Sequence, residues 1–170
     1  MKSFDLQPHL VGDLLELRPL RAEDWDDLFA VASDPMIWEQ HPSHDRYKEE
    51  VFKGFFLEAL ESHGALVAVD RKTQKIIGSS RYFEHEPGKS EIEIGWTFLA
   101  RSHWGGKYNR EMKCLMLGHA LDLSRASFSW WGQRISGRKK PWKTSAVLSL
   151  QVGGTREIFT ENLWNTSCTK

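Results

Sequence analysis

The chain has 170 residues, of which 40% are apolar and 27% charged, and its formal net charge at pH 7 is zero. This allows one domain with a sizeable core, and no apolar run reaches the roughly 20 residues of a membrane-spanning helix, so a helical membrane span is excluded. The stretch Met1 to Leu10 has neither a basic cluster nor a continuous apolar run, so a cytoplasmic protein is expected, and two cysteines, Cys114 and Cys168, make neither a disulfide framework nor a zinc site, so no metal is expected.

Leu14 to Leu20, LLELRPL, has strand character and stops at a proline. In the following RAEDWDDLFAVAS, the residues Trp25, Leu28, Phe29 and Ala32 recur at helical spacing, with Glu23 and Asp24 in the first turn, where the helix dipole favours negative charge. This helix ends near Asp34-Pro35. A second covers about Arg46 to Ser62, with Phe52, Phe55, Phe56 and Ala59 on one stripe and Gly64 as its terminator. Three strands follow at Ala65 to Val69, Ile76 to Phe83 and Glu91 to Leu99, separated by the turn segments DRKTQ and HEPGK, and they predict an antiparallel meander. Period-two alternation in the third puts Ile92, Ile94, Trp96 and Phe98 on one face and Glu91, Glu93, Gly95 and Thr97 on the other. A loop, ARSHWGGKY, then opens a helix from Asn109 to about Leu123 carrying Met112, Leu115, Met116 and Leu123 on one side.

A strand that runs through Gly105-Gly106 into a helix start is a generic anion site, because exposed N–H groups and the helix dipole converge there; Lys107 and Arg110 add positive charge. The same two glycines are equally explained by a tight turn alone. No P-loop or dinucleotide fingerprint is present. His103 and His119 have the character of structural or solvated side chains rather than catalytic ones.

Three segments carry a family likeness: LRPLRAEDWDDLF at Leu17 to Phe29, EIGWTFLAR at Glu93 to Arg101, and HWGGKYNREMKCLMLGHAL at His103 to Leu121. In combination they resemble the GNAT superfamily of N-acetyltransferases, and within it the branch of ribosomal-protein N-terminal acetyltransferases. The resemblance covers roughly residues 1–123. It implies an α/β fold of the GNAT type, a mixed and mostly antiparallel sheet flanked by helices with an atypical C-terminal third. It also implies an acetyltransferase that moves acetyl from acetyl-CoA, its cosubstrate, to a primary amine, either a protein N-terminus or a small molecule. Trp104, Gly105, Gly106, Lys107, Tyr108 and Asn109 occupy the slots that bind pyrophosphate in that branch, with Lys107 and Asn109 standing where glycine or alanine is usual. A Cβ at those slots limits close backbone approach to phosphate, and the Lys107 cation is a partial substitute. By the same resemblance, backbone groups at Thr97, Phe98 and Leu99 hold the pantetheine arm. Amide formation needs the amine as free base, although an alkyl ammonium ordinarily titrates near 10.4; Glu93 stands where relatives keep a carboxylate for that task, with Glu91 in reserve. An exposed strand glutamate is the plain alternative for Glu93.

Residues 124–170 do not read like the rest. They hold eight Lys/Arg against two Asp/Glu, a charge of +6 that leaves −6 on residues 1–123, and four of the eight tryptophans. The family likeness stops there, and no clear periodicity replaces it. Joining the last base of each codon to the first two of the next converts Trp130-Trp131-Gly132 to Val-Gly and places a forced Glu at Trp142-Lys143, within text that fits the family. A frameshifted remainder of the same domain is therefore expected. Its loss would remove one wall of the cofactor slot and leave an open strand edge, which favours association, a homodimer included. Two other functions stand beside acetyl transfer: an impaired remnant that only binds CoA or partners, and a nucleic-acid binder acting through the basic tail, a reading that loses its support if the charge is a coding accident.

Overall fold

The computed structural model describes residues 5–39, 41–84, 92–122, 127–131 and 147–151. Strands β1 (Leu10–Val11), β2 (Leu15–Pro19), β3 (Ala65–Asp70), β4 (Ile76–Glu84) and β5 (Ile92–Leu99) form one sheet in that spatial order, every pairing antiparallel. The three strands expected as a meander are β3, β4 and β5. Helices α1 (Trp25–Ala32), α2 (Pro35–Trp38) and α3 (Glu49–Glu61) pack on one face, and α4 (Lys107–Asp122) packs on the other.

Central β3 shows why the sheet is covered twice. All six of its residues are buried: Ala65, Val67 and Val69 face α1 to α3, whereas Leu66 and Ala68 face α4. A strand buried on both sides has no polar face, so its sequence is a continuous apolar run rather than an alternation. The stripe Phe52, Phe55, Phe56 and Ala59 is the buried face of α3. Phe52, with no exposed surface, has the rings of Trp25, Phe29, Phe55 and Phe98 within 5.5–6.0 Å.

Three details differ from expectation. Helix α3 starts at Glu49 rather than Arg46, which frees Arg46 for another role described below. Its C-terminus is turned by His63, at φ +48°, and not by Gly64. Gly64 is needed for a different reason: a Cβ there would lie 2.1 Å from the Tyr82 carbonyl oxygen. Finally, the region beyond residue 123 contains two short strands, β6 (Ser127–Trp131) and β7 (Val147–Gln151), paired antiparallel with Trp131 opposite Val147. The segments around Trp142 and Trp164 lie outside the described residues.

The link from β2 into α1 is pinned electrostatically. Arg18 Nη1 and Nη2 donate to the two Asp24 carboxylate oxygens at 2.8 and 2.6 Å, and the Arg21 N–H donates to the same carboxylate at 2.8 Å. Burial pushes the Asp24 carboxyl up, but the hydrogen bonds from Arg18 and Arg21 outweigh it and hold the group below the usual carboxylate range. A depressed folded-state pKa gives stability that is present above the unfolded value and is lost as the pH falls through the folded one. Asp24→Asn is expected to cost about 1–3 kcal/mol at neutral pH, towards the lower end because the Arg18 side chain is 25% exposed and screened by water. Urea unfolding at pH 7 and below pH 3 checks this: the gap between variant and wild type closes at the acid end.

Candidate active site

The site is organised by a bulge in β5. Ser79 pairs with Phe98 and Arg81 with Gly95, so one residue of β4, Ser80, is matched by two of β5, Trp96 and Thr97. Trp96 absorbs the extra residue with φ +51°, a left-handed conformation that costs a non-glycine residue on the order of 1 kcal/mol or more. The bulge breaks the expected alternation. Ile92 and Ile94 face α4, whereas Phe98 and most of Trp96 face α1 to α3. The four residues expected on one face are therefore split between two.

The practical result is that Glu93 and Trp96 reach the same side. Both line a pocket of about 210 Å³ together with Gly95 and Thr97 of β5, Trp38 at the end of α2, and His41 and Arg46 of the α2–α3 connection. The Glu93 carboxylate folds back over Gly95, where a Cβ would lie 3.4 Å from Glu93 Oε1. Burial, then the nearby Arg46 cation, push the His41 imidazole below its ordinary value. Its Nδ1 accepts the Ser43 N–H at 3.0 Å, so in the neutral ring Nε2 carries the proton. His41 can donate but has no free lone pair to take a proton, and Glu93 is the one carboxylate among the described lining residues.

Behind the bulge, on the α4 side, Lys113 is 7% exposed. Its Nζ donates to Thr97 Oγ1 at 2.6 Å and reaches Ser80 Oγ at 3.5 Å. Thr97 and Ser80 hydroxyls lie 2.7 Å apart, and each is 3.3 Å from the Gly95 carbonyl oxygen. This chain of groups braces the bulge. Desolvation by burial pushes the Lys113 amine down to about 7.

Beyond Leu99 the chain makes a short 3-10 turn at Arg101–His103 and then reaches the two glycines. Gly105 and Gly106 adopt φ +104° and +96°, the region glycine alone enters freely, and a Cβ on either would meet nothing within 4 Å. The helix then begins at Lys107, two residues before the expected Asn109, so Lys107, Tyr108 and Asn109 form its first turn. The bond from Arg110 N–H to Gly106 O at 2.9 Å is the first of the helix, and the N–H groups before it point out of its end. The turn is tethered on both sides. Trp104 Nε1 donates to Leu99 O at 2.9 Å, Arg101 pairs with Asp34, and His103 stands 3.6 Å from buried Asp70 with Tyr108 packed edge-on against its ring. His103 is thus an anchor, as its sequence context suggested, and His119 contacts the Asp5 carbonyl oxygen at 2.8 Å.

The structure accordingly brings Glu93 and Thr97 into one pocket, and sets Phe98 and Leu99 between that pocket and the turn Trp104 to Asn109. Glu91 lies outside the described residues. Sequence reasoning missed Trp38, His41, Arg46, Arg81 and Lys113. A lysine between Met112 and Met116 on a helix whose apolar stripe faces the core was the one available signal for Lys113; nothing local marks the others.

Within this frame, the chain matches the acetyltransferase (GNAT) domain family over residues 15–135 and belongs to that family. The match runs past residue 123, where the likeness read from the sequence ended. No curated protein matches the chain. Among solved structures it is similar to a GCN5-related N-acetyltransferase from Brucella melitensis, at 17% identity and TM-score 0.61, covering 86% of this chain and 79% of that one. It is also similar to a GNAT-family acetyltransferase from Bacillus anthracis, at 13% identity and TM-score 0.59, over 84% and 95% of the two chains. An acetyltransferase from Agrobacterium tumefaciens is similar at 20% identity and TM-score 0.55, over 86% and 95%. At such identities these likenesses establish a shared fold.

Proposed function

We propose that the protein transfers acetyl from acetyl-CoA to a primary amine by direct attack in a ternary complex. The supporting observation is the layout of β5: one strand carries a pocket-facing carboxylate at its bulge and ends in an open, positive-φ glycine turn at the start of α4. The turn suits a diphosphate, since its backbone can be approached without meeting a side chain and exposed Lys107 adds charge. Strand β7 runs beside β5 without joining its ladder, so backbone groups at Thr97, Phe98 and Leu99 are suited to pantetheine amides entering between the two strands.

In this reading Glu93 takes the proton from the substrate ammonium, directly or through one water, and the freed lone pair attacks the thioester carbonyl. The C–N bond forms, the C–S bond breaks, and the proton that the attacking nitrogen sheds on becoming an amide passes to the departing thiolate, so that CoA leaves as its thiol. Trp38 and Trp96 wall the pocket and reduce the water around the reacting amine.

Calorimetry with acetyl-CoA and a turnover assay on a panel of amines test the proposal. Binding in the micromolar range with transfer to at least one amine is expected; no heat at millimolar acetyl-CoA defeats it. Glu93→Gln should lower kcat by about 10²-fold while acetyl-CoA still binds. Equal kcat in the two proteins would remove Glu93 from its role. The reading frame of residues 124–170, proposed to be shifted, is decided by the coding DNA around codons 120–130 and by the intact mass.

A further inference from the structure

Two arginines stand at the pocket that holds Glu93, and neither has an ion pair among the described residues: Arg46 lines it, and Arg81 lies behind Gly95 and Trp96 of its wall. Arg81, on β4 opposite Gly95, is 5% exposed, and its Nε and Nη2 are buried without a hydrogen-bond partner among the described residues. Aromatic rings cover its faces: its guanidinium lies 4.8 Å from the Trp96 ring centre and 5.6 Å from that of Phe55. Cation–π contact of this kind satisfies the faces of a guanidinium but not its N–H donors, which lie in its plane. Arg46 lines the pocket itself, 4.4 Å from the same Phe55 ring and 5.6 Å from Trp38. Burial and mutual repulsion weigh against the charge on Arg81. Glu58, the carboxylate that acts on both arginines, is exposed on α3 and forms an ion pair with neither among the described residues.

Burying a charged group without a partner is costly, and buried donors left unmatched are rare. Two guanidinia around one phenylalanine, beside a pocket whose own carboxylate is the proposed base, form a receptor short of an anion. We infer that Arg46 binds an oxyanion on the acceptor, with the Arg81 cation behind the Trp96 wall adding positive charge, so that the preferred substrate is a primary amine bearing a carboxylate or phosphate. A planar guanidinium engages either group through two parallel hydrogen bonds, which fixes orientation as well as position. The anion on Arg46 would hold the amine of such a substrate near Glu93, which lines the same pocket. This inference rests on the acetyl-transfer reading for the reaction, but the binding it describes is measurable without turnover.

The experiment titrates the full chain with β-alanine and with phosphoethanolamine, each against its neutral counterpart β-alaninamide or ethanolamine, by calorimetry and by quenching of tryptophan fluorescence. The same four amines are then assayed with acetyl-CoA. An anionic amine is expected to bind at least about tenfold more tightly than its neutral partner and to show a similar advantage in kcat/KM, because a site built around hydrogen bonds to a group discriminates against its absence. The two pairs separate carboxylate from phosphate. In Arg46→Gln and Arg81→Met the ratio should fall towards one, mainly through KM; Arg81→Met keeps the stem length and removes an unpaired buried charge, so it should fold at least as well. If acetyl-CoA binds and neutral amines are acetylated as well as anionic ones, the subsite is refuted while acetyl transfer stands. If acetyl-CoA does not bind, acetyl transfer fails, and the direct titrations still decide the subsite.

Discussion

Lys113→Met is expected to stabilise the protein at pH 7 and to remove a rise in stability that the wild type shows between pH 7 and about 10. The folded chain holds this amine with a pKa of about 7, pushed down by burial, against 10.5 for an ordinary lysine. Across that window the unfolded chain binds a proton that the folded chain has lost, so the stability of the wild type climbs with pH. Three and a half units at about 1.36 kcal/mol each make this climb on the order of 4–5 kcal/mol. Methionine matches the stem, has no charge to bury and gives up the hydrogen bond to Thr97 Oγ1, worth about 1 kcal/mol. A net gain of about 2–4 kcal/mol at pH 7 follows, shrinking and then reversing as the pH approaches 10. Denaturant unfolding of both proteins at pH 6, 7, 8, 9 and 10 provides the check, and their difference cancels the titration of every other group. Parallel curves from pH 7 to 10 would mean that Lys113 is charged in the fold and has found an anion.

A second large effect is expected at Gly78, where β4 faces the end of β5. An alanine Cβ there would lie 2.1 Å from the Phe98 carbonyl oxygen and 2.9 Å from Leu99 Cα, and both obstacles are backbone. Neither can rotate away, so the two strands must separate next to the bulge. Gly78→Ala should cost about 3 kcal/mol or more. Gly95→Ala, on the partner strand, is the control: its Cβ meets only Glu93 Oε1 at 3.4 Å, the movable end of a side chain, and the expected cost is below about 1 kcal/mol. Thermal melts of the two variants measure the contrast. Because Gly78→Ala displaces the backbone of Phe98 and Leu99, it should also weaken acetyl-CoA binding in whatever protein remains folded. Similar melting temperatures for the two alanine variants would show that the strands yield more easily than this geometry implies.

The elements that were readable in advance share one property: the signal lies within a dozen consecutive residues. The stripe Phe52, Phe55, Phe56 and Ala59 announces its helix because every fourth side chain meets the same core, and β3 to β5 announce a meander because turn segments separate apolar strands. The glycine pair at Gly105-Gly106 is readable for the same reason, since the conformation it permits is local. Trp96 was placed on the wrong face because alternation holds only while the ladder is regular. The extra residue in β5 becomes visible only when β4 is laid beside it.

The pattern of side chains along the chain was enough to specify the meander of β3 to β5, the helix that follows the glycine turn, and the candidacy of that turn and of Glu93, but not the places of β1 and β2 in the sheet. It was not enough to assemble the pocket. Trp38, His41, Arg46 and Arg81 come from separate segments, and they converge on Glu93 because α2 and α3 close over a bulged strand. The downward shift at Lys113 is equally a product of packing, since an amine releases its proton at neutral pH only where neighbouring atoms exclude water. Local spacing encodes which face of a helix or strand is apolar; desolvation and convergence depend on distances between residues far apart in the chain, and those exist only once the chain has folded.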